Sequence, residues 1–154
     1  MTEAKAKLKK VAPLIRAREA QLNQQAQRLN KIRNLKMQAI EDLRQSQKDY
    51  VTAVDTINAQ RQSSDRSLLL TLESSIDMVK SRFYQSLRRV RDCEHQERLQ
   101  LAALVAAETN KKSAEKLEER YKTLLGQEMG RKEQATLDEF ALRQHTARAT
   151  KFGT

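Results

Sequence analysis

The side chains best suited to catalysis or metal binding are few in this sequence. The chain has one cysteine, Cys93, and two histidines, His95 and His145. On a helix Cys93 and His95 would not share a face, because residues two apart point in different directions. There is no His-x-x-x-His pattern, no cysteine pair and no glycine-rich phosphate loop. We therefore predict no catalytic residue, no metal site and no cofactor, and we do not expect an enzyme.

Positive charge is the clearest chemical feature of the sequence. The net charge is +10, and the first 50 residues hold twelve Lys and Arg against five Asp and Glu. Lys5, Lys7, Lys9 and Lys10 form a basic arm. Such charge favours an acidic protein surface, an anionic membrane or a phosphate backbone, and a solvated face explains it equally well. Aromatic residues make up 4% of the chain, so specific recognition of stacked bases is not expected.

The composition predicts long helices. Hydrophobic residues reach 38%, charged residues 32%, and there are three glycines and one proline. Strong helix formers dominate, and the mixture is typical of coiled coils. Disorder is the alternative, because high net charge with modest hydrophobicity also marks unfolded chains. The periodicity of the apolar residues has to decide between the two.

The sequence also indicates a cellular location. A single cysteine forms no intrachain disulfide and is consistent with a reducing compartment. The first 30 residues contain no continuous apolar stretch of the signal-peptide kind. The longest apolar run, Leu101–Ala107, is far below the roughly 20 residues that span a bilayer. We therefore predict a cytosolic protein that is peripheral to membranes at most.

A heptad repeat runs through the first 57 residues. Alternate steps of three and four residues give Leu8, Val11, Ile15, Arg18, Leu22, Gln25, Leu29, Ile32, Lys36, Ala39, Leu43, Ser46, Tyr50, Ala53 and Ile57. This pattern predicts a helix over about 13–57 that supercoils with a partner helix. Pro13 suits the first turn or a kink near the start, with residues 1–12 as a frayed arm or short extension.

A polar break at 58–67 separates this repeat from a second one. Ser63, Ser64 and Asp65 are helix N-cap residues, so we place a turn here and a second helix over about 68–143. Its predicted seam is Leu69, Leu72, Ile76, Val79, Phe83, Leu87 and Val90, then Ala114, Leu117, Tyr121 and Leu124. Between Leu99 and Ala107 the strict spacing is lost. The polar tail from His145 is expected to fray.

Two narrow apolar seams joined by a short polar break favour one arrangement of the chain. Each seam is too narrow to hold a helix alone in water, and folding back satisfies both within one chain. We predict one all-α domain over residues 1–154: an elongated antiparallel two-helix coiled-coil hairpin. A dimer of continuous helices is the alternative, because the break contains neither Gly nor Pro.

The start of the second helix is more apolar than a two-helix seam requires. Leu68 and Leu70 flank Leu69, so an antiparallel partner would leave them exposed near the turn. They could cap the helix locally or pack against a further short helix. They could equally form a docking patch for another protein.

Three stretches of the sequence resemble one known family of proteins. The first is Lys132-Glu133-Gln134-Ala135-Thr136-Leu137-Asp138-Glu139-Phe140-Ala141-Leu142-Arg143, sharpest at Asp-Glu-Phe-Ala. It is similar to the C-terminal signature of the FliJ family, which includes the SctO (YscO-like) proteins of type III secretion. Thr71-Leu72-Glu73-Ser74-Ser75-Ile76 resembles the start of its second helix, and Gln47-Lys48-Asp49-Tyr50 the end of its first. The resemblance covers most of the chain weakly.

The resemblance implies a non-enzymatic central stalk, similar to the rotary ATP synthase gamma subunit, of a flagellar or virulence export apparatus. Such a stalk binds the hexameric secretion ATPase through its termini and promotes its assembly and activity. It contacts the export gate near its turn, some members bind secretion chaperones, and its place is the cytoplasmic base of the apparatus. The implied gate contacts are Leu43, Tyr50, Leu68, Leu72 and Ser75. The implied ATPase contacts are Leu137, Phe140 and Arg143, with Lys7, Lys9 and Lys10 as electrostatic contributors.

Two departures from the family pattern bear on the gate contacts. The turn lacks the glycine that members often carry, and Leu68 stands where a phenylalanine is usual. Two other functions stay open on the residues alone. One is a basic coiled coil that binds anionic membrane or nucleic acid, and the other is a plain coiled-coil scaffold.

Overall fold

The computed structural model of the chain describes residues 3–62 and 65–152 and consists of two helices. Helix α1 spans Glu3–Gln60 and helix α2 spans Arg66–Phe152. The described residues contain no strand, and the two helices pack against each other. The predicted all-α antiparallel hairpin is therefore confirmed.

Both helices are longer than the apolar pattern indicated. Helix α1 begins at Glu3, so Pro13 lies inside it rather than in its first turn. The missing N–H leaves the carbonyl of residue 9 without its helical donor, but Pro13 is exposed and water can satisfy that group. Residues 145–152, expected to fray, are helical. Thr146 and Thr150 there donate hydroxyl hydrogen bonds to carbonyls one turn earlier, at 2.9 and 2.7 Å.

Asp65 caps the start of α2. Its Oδ1 accepts hydrogen bonds from the backbone N–H groups of Ser67 and Leu68, at 3.0 and 3.3 Å. The Leu69 N–H donates to the carbonyl of Asp65 at 3.2 Å. One side chain thus satisfies two of the four N–H groups that the start of a helix leaves unpaired. Ser63 and Ser64, the other predicted capping residues, lie outside the described residues.

The seam predicted for α1 is the face that packs against α2. All fifteen residues from Leu8 to Ile57 in the three-four repeat are buried or half-buried. The most enclosed are Val11, Leu29, Ala39 and Ile57, none more than 6% exposed. The polar members Arg18, Gln25, Lys36 and Ser46 follow the same face, so the heptad repeat outweighs side-chain polarity in setting which residues turn inward.

The seam of α2 keeps its repeat more strictly than the sequence suggested. The residue that follows Phe83 in the seam is Ser86, with Leu87 half-buried beside it. Gln100 and Ala107 continue the repeat where the spacing appeared to be lost, while Leu99 and Leu101 are exposed. The prediction of Leu124 was wrong, because it is 41% exposed and Leu125 takes the seam position. Leu87 and Leu124 were predicted in the seam because hydrophobicity alone does not distinguish a seam residue from an apolar residue beside it.

Three of the four polar residues in the α1 seam meet polar seam residues of α2. The hydroxyls of Ser46 and Ser86 are 3.0 Å apart, and Lys36 Nζ lies 3.4 Å from Glu97 Oε2. Gln100 Nε2 donates to both the carbonyl and the side-chain oxygen of Gln25. A polar residue in a seam weakens it unless it finds a partner. These matched pairs therefore fix the antiparallel register.

The contacts of the chain fall into two compact units. Unit 1 comprises Met1–Gln21 with Ala107–Thr154, and unit 2 comprises Leu22–Ala106. Within unit 1, Lys111 of α2 lies 3.4 Å from Glu19 of α1. Within unit 2, the rings of Tyr50 and Phe83 stack at 6.2 Å between centroids. Each unit contains a stretch of both helices, so each has its own portion of the seam.

Candidate partner-binding surfaces

The end of α2 presents a helix with no covering partner. Every residue from Met129 to Thr150 is exposed. Leu137 is 61% and Phe140 60% exposed, and their separation of three residues places them on one side of the helix. Leu142 is 66% exposed and lies about 200° around the axis from Phe140, on the opposite side. The predicted Arg143 is exposed as well.

Hydrogen bonds in this end of α2 are local. Gln134 donates to Asp138 at 3.0 Å, one turn later, and Thr136 donates to the carbonyl of Lys132 at 2.9 Å. Large exposed apolar side chains on an otherwise unpacked helix are a common form of partner-binding surface. The geometry therefore gives Leu137 and Phe140 the exposure that direct partner contact requires.

The N-terminal lysines differ among themselves. Lys7 lies 3.1 Å from Glu3 and its ammonium sits 5.6 Å from the centroid of the Tyr121 ring on α2. The hydrogen bond to Glu3, reinforced by its negative charge, raises the pKa of Lys7 above the ordinary lysine value. Lys9 and Lys10 are exposed. Lys7 therefore contacts residues of both helices.

The five residues predicted near the turn do not form one exposed patch. Leu68 is 39% exposed and Ser75 is exposed. Leu43, Tyr50 and Leu72 are half-buried seam residues, and Tyr50 stacks on Phe83 across the helices. Their place in the repeat turns them inward, so most of their surface is used within the hairpin. Leu70, beside Leu68, is 66% exposed and extends the free surface there.

Sequence reasoning missed a second group of exposed apolar residues. Met37 is 68%, Val51 52% and Tyr84 54% exposed, all in unit 2. Once the seam is known, the heptad repeat predicts that these side chains face outward. Each lies one helical turn, three or four residues, from a residue that flanks the seam. The heptad repeat was therefore sufficient to find these three residues, but only its seam positions were used.

The described residues hold no cluster of three or more His, Cys, Asp and Glu side chains that could bind a metal ion. Cys93 is half-buried in the α2 seam and His95 is exposed, so the two point apart as expected. Over the same residues, neither helix has a stretch long and apolar enough to cross a membrane.

Comparison with known families gives one match. The family model described as Flagellar FliJ protein matches residues 7–150, nearly the whole chain. The chain belongs to the FliJ family. No curated protein and no solved structure matches it.

Membership of the FliJ family makes the chain a protein related to flagellar and type III export, and that family is a non-enzymatic component of export. The helical hairpin agrees with that family. The match includes Leu137, Phe140 and Arg143, and it also includes Lys7, Lys9 and Lys10.

Proposed function

We propose that this FliJ-family chain is the central stalk of a type III export apparatus, flagellar or virulence-associated. It binds the hexameric secretion ATPase, promotes the assembly and activity of that ring, and links it to the export gate at the cytoplasmic base of the apparatus. The observation that carries the proposal is the uncovered end of α2, where Leu137 and Phe140 are both about three-fifths exposed. Side chains of this size, exposed on one side of a helix, are suited to insertion into a partner.

The N-terminal lysines support the same contact by electrostatics. Lys7 contacts Tyr121 of α2, so the basic residues of α1 lie beside the part of α2 that precedes its uncovered end. Lys9 and Lys10 are exposed and available to an acidic surface. Neutralising Lys5, Lys7, Lys9 and Lys10 together should weaken ATPase binding at low salt and matter less at high salt, because salt screens exposed charges.

The contact with the gate is proposed for Leu68 and Ser75 first. Both are exposed beside the capped start of α2. Leu43, Tyr50 and Leu72 would contribute mainly by holding the two helices together, since they are half-buried in the seam. Leu68→Asp is therefore the informative change for gate binding, whereas Leu72→Asp would also disturb the hairpin. Secretion chaperones are proposed as further partners on the strength of the family alone.

The deciding experiment titrates the cognate export ATPase with the full chain and measures its ATPase activity. Stimulation should be lost, or need at least about tenfold more protein, for the double change Leu137→Asp and Phe140→Asp. Leu142→Asp is the matched control, because Leu142 is equally exposed but lies on the opposite side of α2. A scrambled helical protein of equal charge controls for charge alone.

The outcomes separate the candidate functions. Stimulation that survives the double change, or that the scrambled protein reproduces, would contradict the stalk proposal. Without any stimulation, the net charge of +10 favours the second candidate, a coiled coil that binds an anionic membrane or nucleic acid. That candidate predicts steeply salt-dependent binding to random duplex DNA or to anionic vesicles.

A further inference from the structure

The two flanks of the seam in unit 2 differ in chemistry. Asp42 of α1 and Arg89 of α2 form an ion pair at 3.2 Å, and this contact marks the flank that we call the ion-pair flank. Over residues 33–50 and 80–97 its outward positions hold two cations and three carboxylates, namely Arg82, Arg89, Asp42, Asp49 and Asp92. Leu35 is its one large apolar residue. This flank is typical of a solvated coiled-coil surface.

The opposite flank carries an apolar cluster. Met37 and Ile40 of α1 lie on it with Tyr84 and Leu87 of α2, and we call these four residues the apolar flank. Met37 is 68% and Tyr84 54% exposed, while Ile40 and Leu87 are half-buried beside the seam. The contacts Lys36–Glu97 and Tyr50–Phe83 fix a register that sets these stretches of the two helices side by side. In that register Tyr84 faces position 49 of α1, so the four residues are spread along one flank over about 12 residues, or roughly 18 Å of helix.

Tyr84 is held in place before any partner arrives. Its ring lies edge-on to the ring of Phe83, with centroids 5.7 Å apart and an interplanar angle of 69°. Phe83 is itself a seam residue stacked on Tyr50. A ring whose orientation is already fixed loses little freedom on binding, which favours its use as an interface anchor.

Cations surround the apolar flank. Arg33, Arg44, Lys80 and Arg91 occupy the remaining positions beside it, with Glu94 as the one carboxylate and Gln47 as the one amide over the same residues. Arg44 makes an exposed contact of 3.8 Å with Glu41. Within the part of the chain that the structure describes, Arg33, Lys80 and Arg91 form no ion pair. Their charge is available to a ligand.

Apolar residues along one flank of a two-helix seam widen the apolar surface beyond the narrow seam, and a third amphipathic helix can cover such a surface. Because cations surround the apolar flank, the residues on either side of that helix's apolar stripe should be Asp and Glu. A second copy of this chain fits poorly, because a symmetric contact through the same patch would set these cations against each other. We propose that the apolar flank is a docking surface for an acidic amphipathic helix of another protein, separate from the ATPase and gate contacts.

The test uses the full chain and three designed helical peptides. All share one leucine stripe, and their flanking residues are Glu, Gln or Lys. Binding is measured by fluorescence anisotropy of labelled peptide at low and high salt. The Glu peptide should bind at least about tenfold more tightly than the Lys peptide, and added salt should narrow that difference.

Variants then locate the binding site. Tyr84→Ala and Met37→Ala should each weaken binding of the Glu peptide about tenfold, because truncating a central anchor has effects of this size. Arg33→Gln with Arg91→Gln should remove most of the preference for the Glu peptide over the Gln peptide. The matched controls are Leu35→Ala and Arg82→Gln on the ion-pair flank, which should change neither result. All six altered side chains are exposed, so we expect the helices to remain intact, and circular dichroism measures this.

Three results would overturn the proposal. One is equal binding of the Glu and Lys peptides. Another is an equal loss of binding in the ion-pair-flank variants. The third is self-association of the chain, detected by sedimentation and abolished by Tyr84→Ala, which would assign the flank to a second copy. The ATPase titration does not depend on this surface, so failure here leaves the proposed function standing.

Discussion

Helix α2 has two stretches that differ in what covers them. From Leu69 to Glu128 the seam residues of the heptad repeat are buried or half-buried against α1, and Val90 is only 7% exposed. From Met129 to Thr150 no residue is covered. The two stretches have similar helix-forming residues, so propensity does not distinguish them. Burial does: the first stretch stabilises the hairpin, and the second is the one for which we propose partner contact.

The largest expected effect is a charge placed in the covered stretch. Val90→Asp puts a carboxylate at a seam position that is only 7% exposed, so we expect a loss of about 3–5 kcal/mol in the free energy of unfolding. Urea denaturation followed by circular dichroism measures it. A loss below 1 kcal/mol would mean that the seam at Val90 is not closed.

The next effect in size comes from splitting a matched polar pair. Lys36→Ala leaves Glu97 in the seam with its side chain only 24% exposed and without its cation. We expect a loss of about 1–3 kcal/mol, because a polar group deprived of its partner carries its desolvation cost. The double change Lys36→Leu and Glu97→Leu should restore or exceed the original stability. A double variant as unstable as the single one would show that the pair does more than match polarity.

The two helical glycines allow a comparison of the stretches with the same chemical change. Neither Gly126 nor Gly130 has any atom within 4 Å of an added Cβ, so alanine fits at both. Each Gly→Ala change should favour the helix by up to about 1 kcal/mol. Gly126→Ala should raise the free energy of unfolding of the hairpin, whereas Gly130→Ala should slow amide hydrogen exchange only near itself. Equal global stabilisation by both would contradict the difference between the stretches.

The smallest effect is expected from a charge in the uncovered stretch. Leu137→Asp should change the free energy of unfolding by less than about 0.5 kcal/mol, because the leucine side chain is already mostly in water. The same change should impair ATPase stimulation. Loss of ATPase stimulation without loss of stability would indicate that Leu137 contacts a partner protein. A large decrease in the free energy of unfolding would instead show that Leu137 packs within the hairpin.

The sequence alone was sufficient for the class of fold and for the α1 seam. The fifteen-residue repeat of α1 is regular enough that even Lys36 and Ser46 could be placed on the buried face. It was less informative for α2, where Leu87, Leu99 and Leu101 lie beside the repeat and compete with Ser86 and Gln100 for the seam. Hydrophobicity favours the leucines, whereas the polar pairs across the helices decide for Ser86 and Gln100. Those pairs need the structure of both helices to be seen.

The candidate site was predicted unevenly for a similar physical reason. Leu137 and Phe140 could be selected because the C-terminal signature is local, and the structure leaves both exposed. Leu43, Tyr50 and Leu72 were selected as surface residues although they also satisfy the heptad repeat, and they are half-buried. Whether a residue of a coiled coil faces a partner protein or its own second helix depends on register. Register is settled by contacts between residues far apart in the sequence.

The Asp65 cap also bears on the order in which the chain folds. Within unit 2, the Ser46–Ser86 contact joins residues 40 apart in the sequence and the Gln25–Gln100 contact joins residues 75 apart. Closing the longer loop directly from an unfolded chain costs more entropy, by roughly 0.6 kcal/mol in free energy for each doubling of loop length. Once the Ser46–Ser86 contact has formed, the loops that remain to be closed are short. The contacts closest to the turn should therefore form first. We expect unit 2 to zip from the Asp65 end outward, with the Gln25–Gln100 pair among the last of its contacts to close.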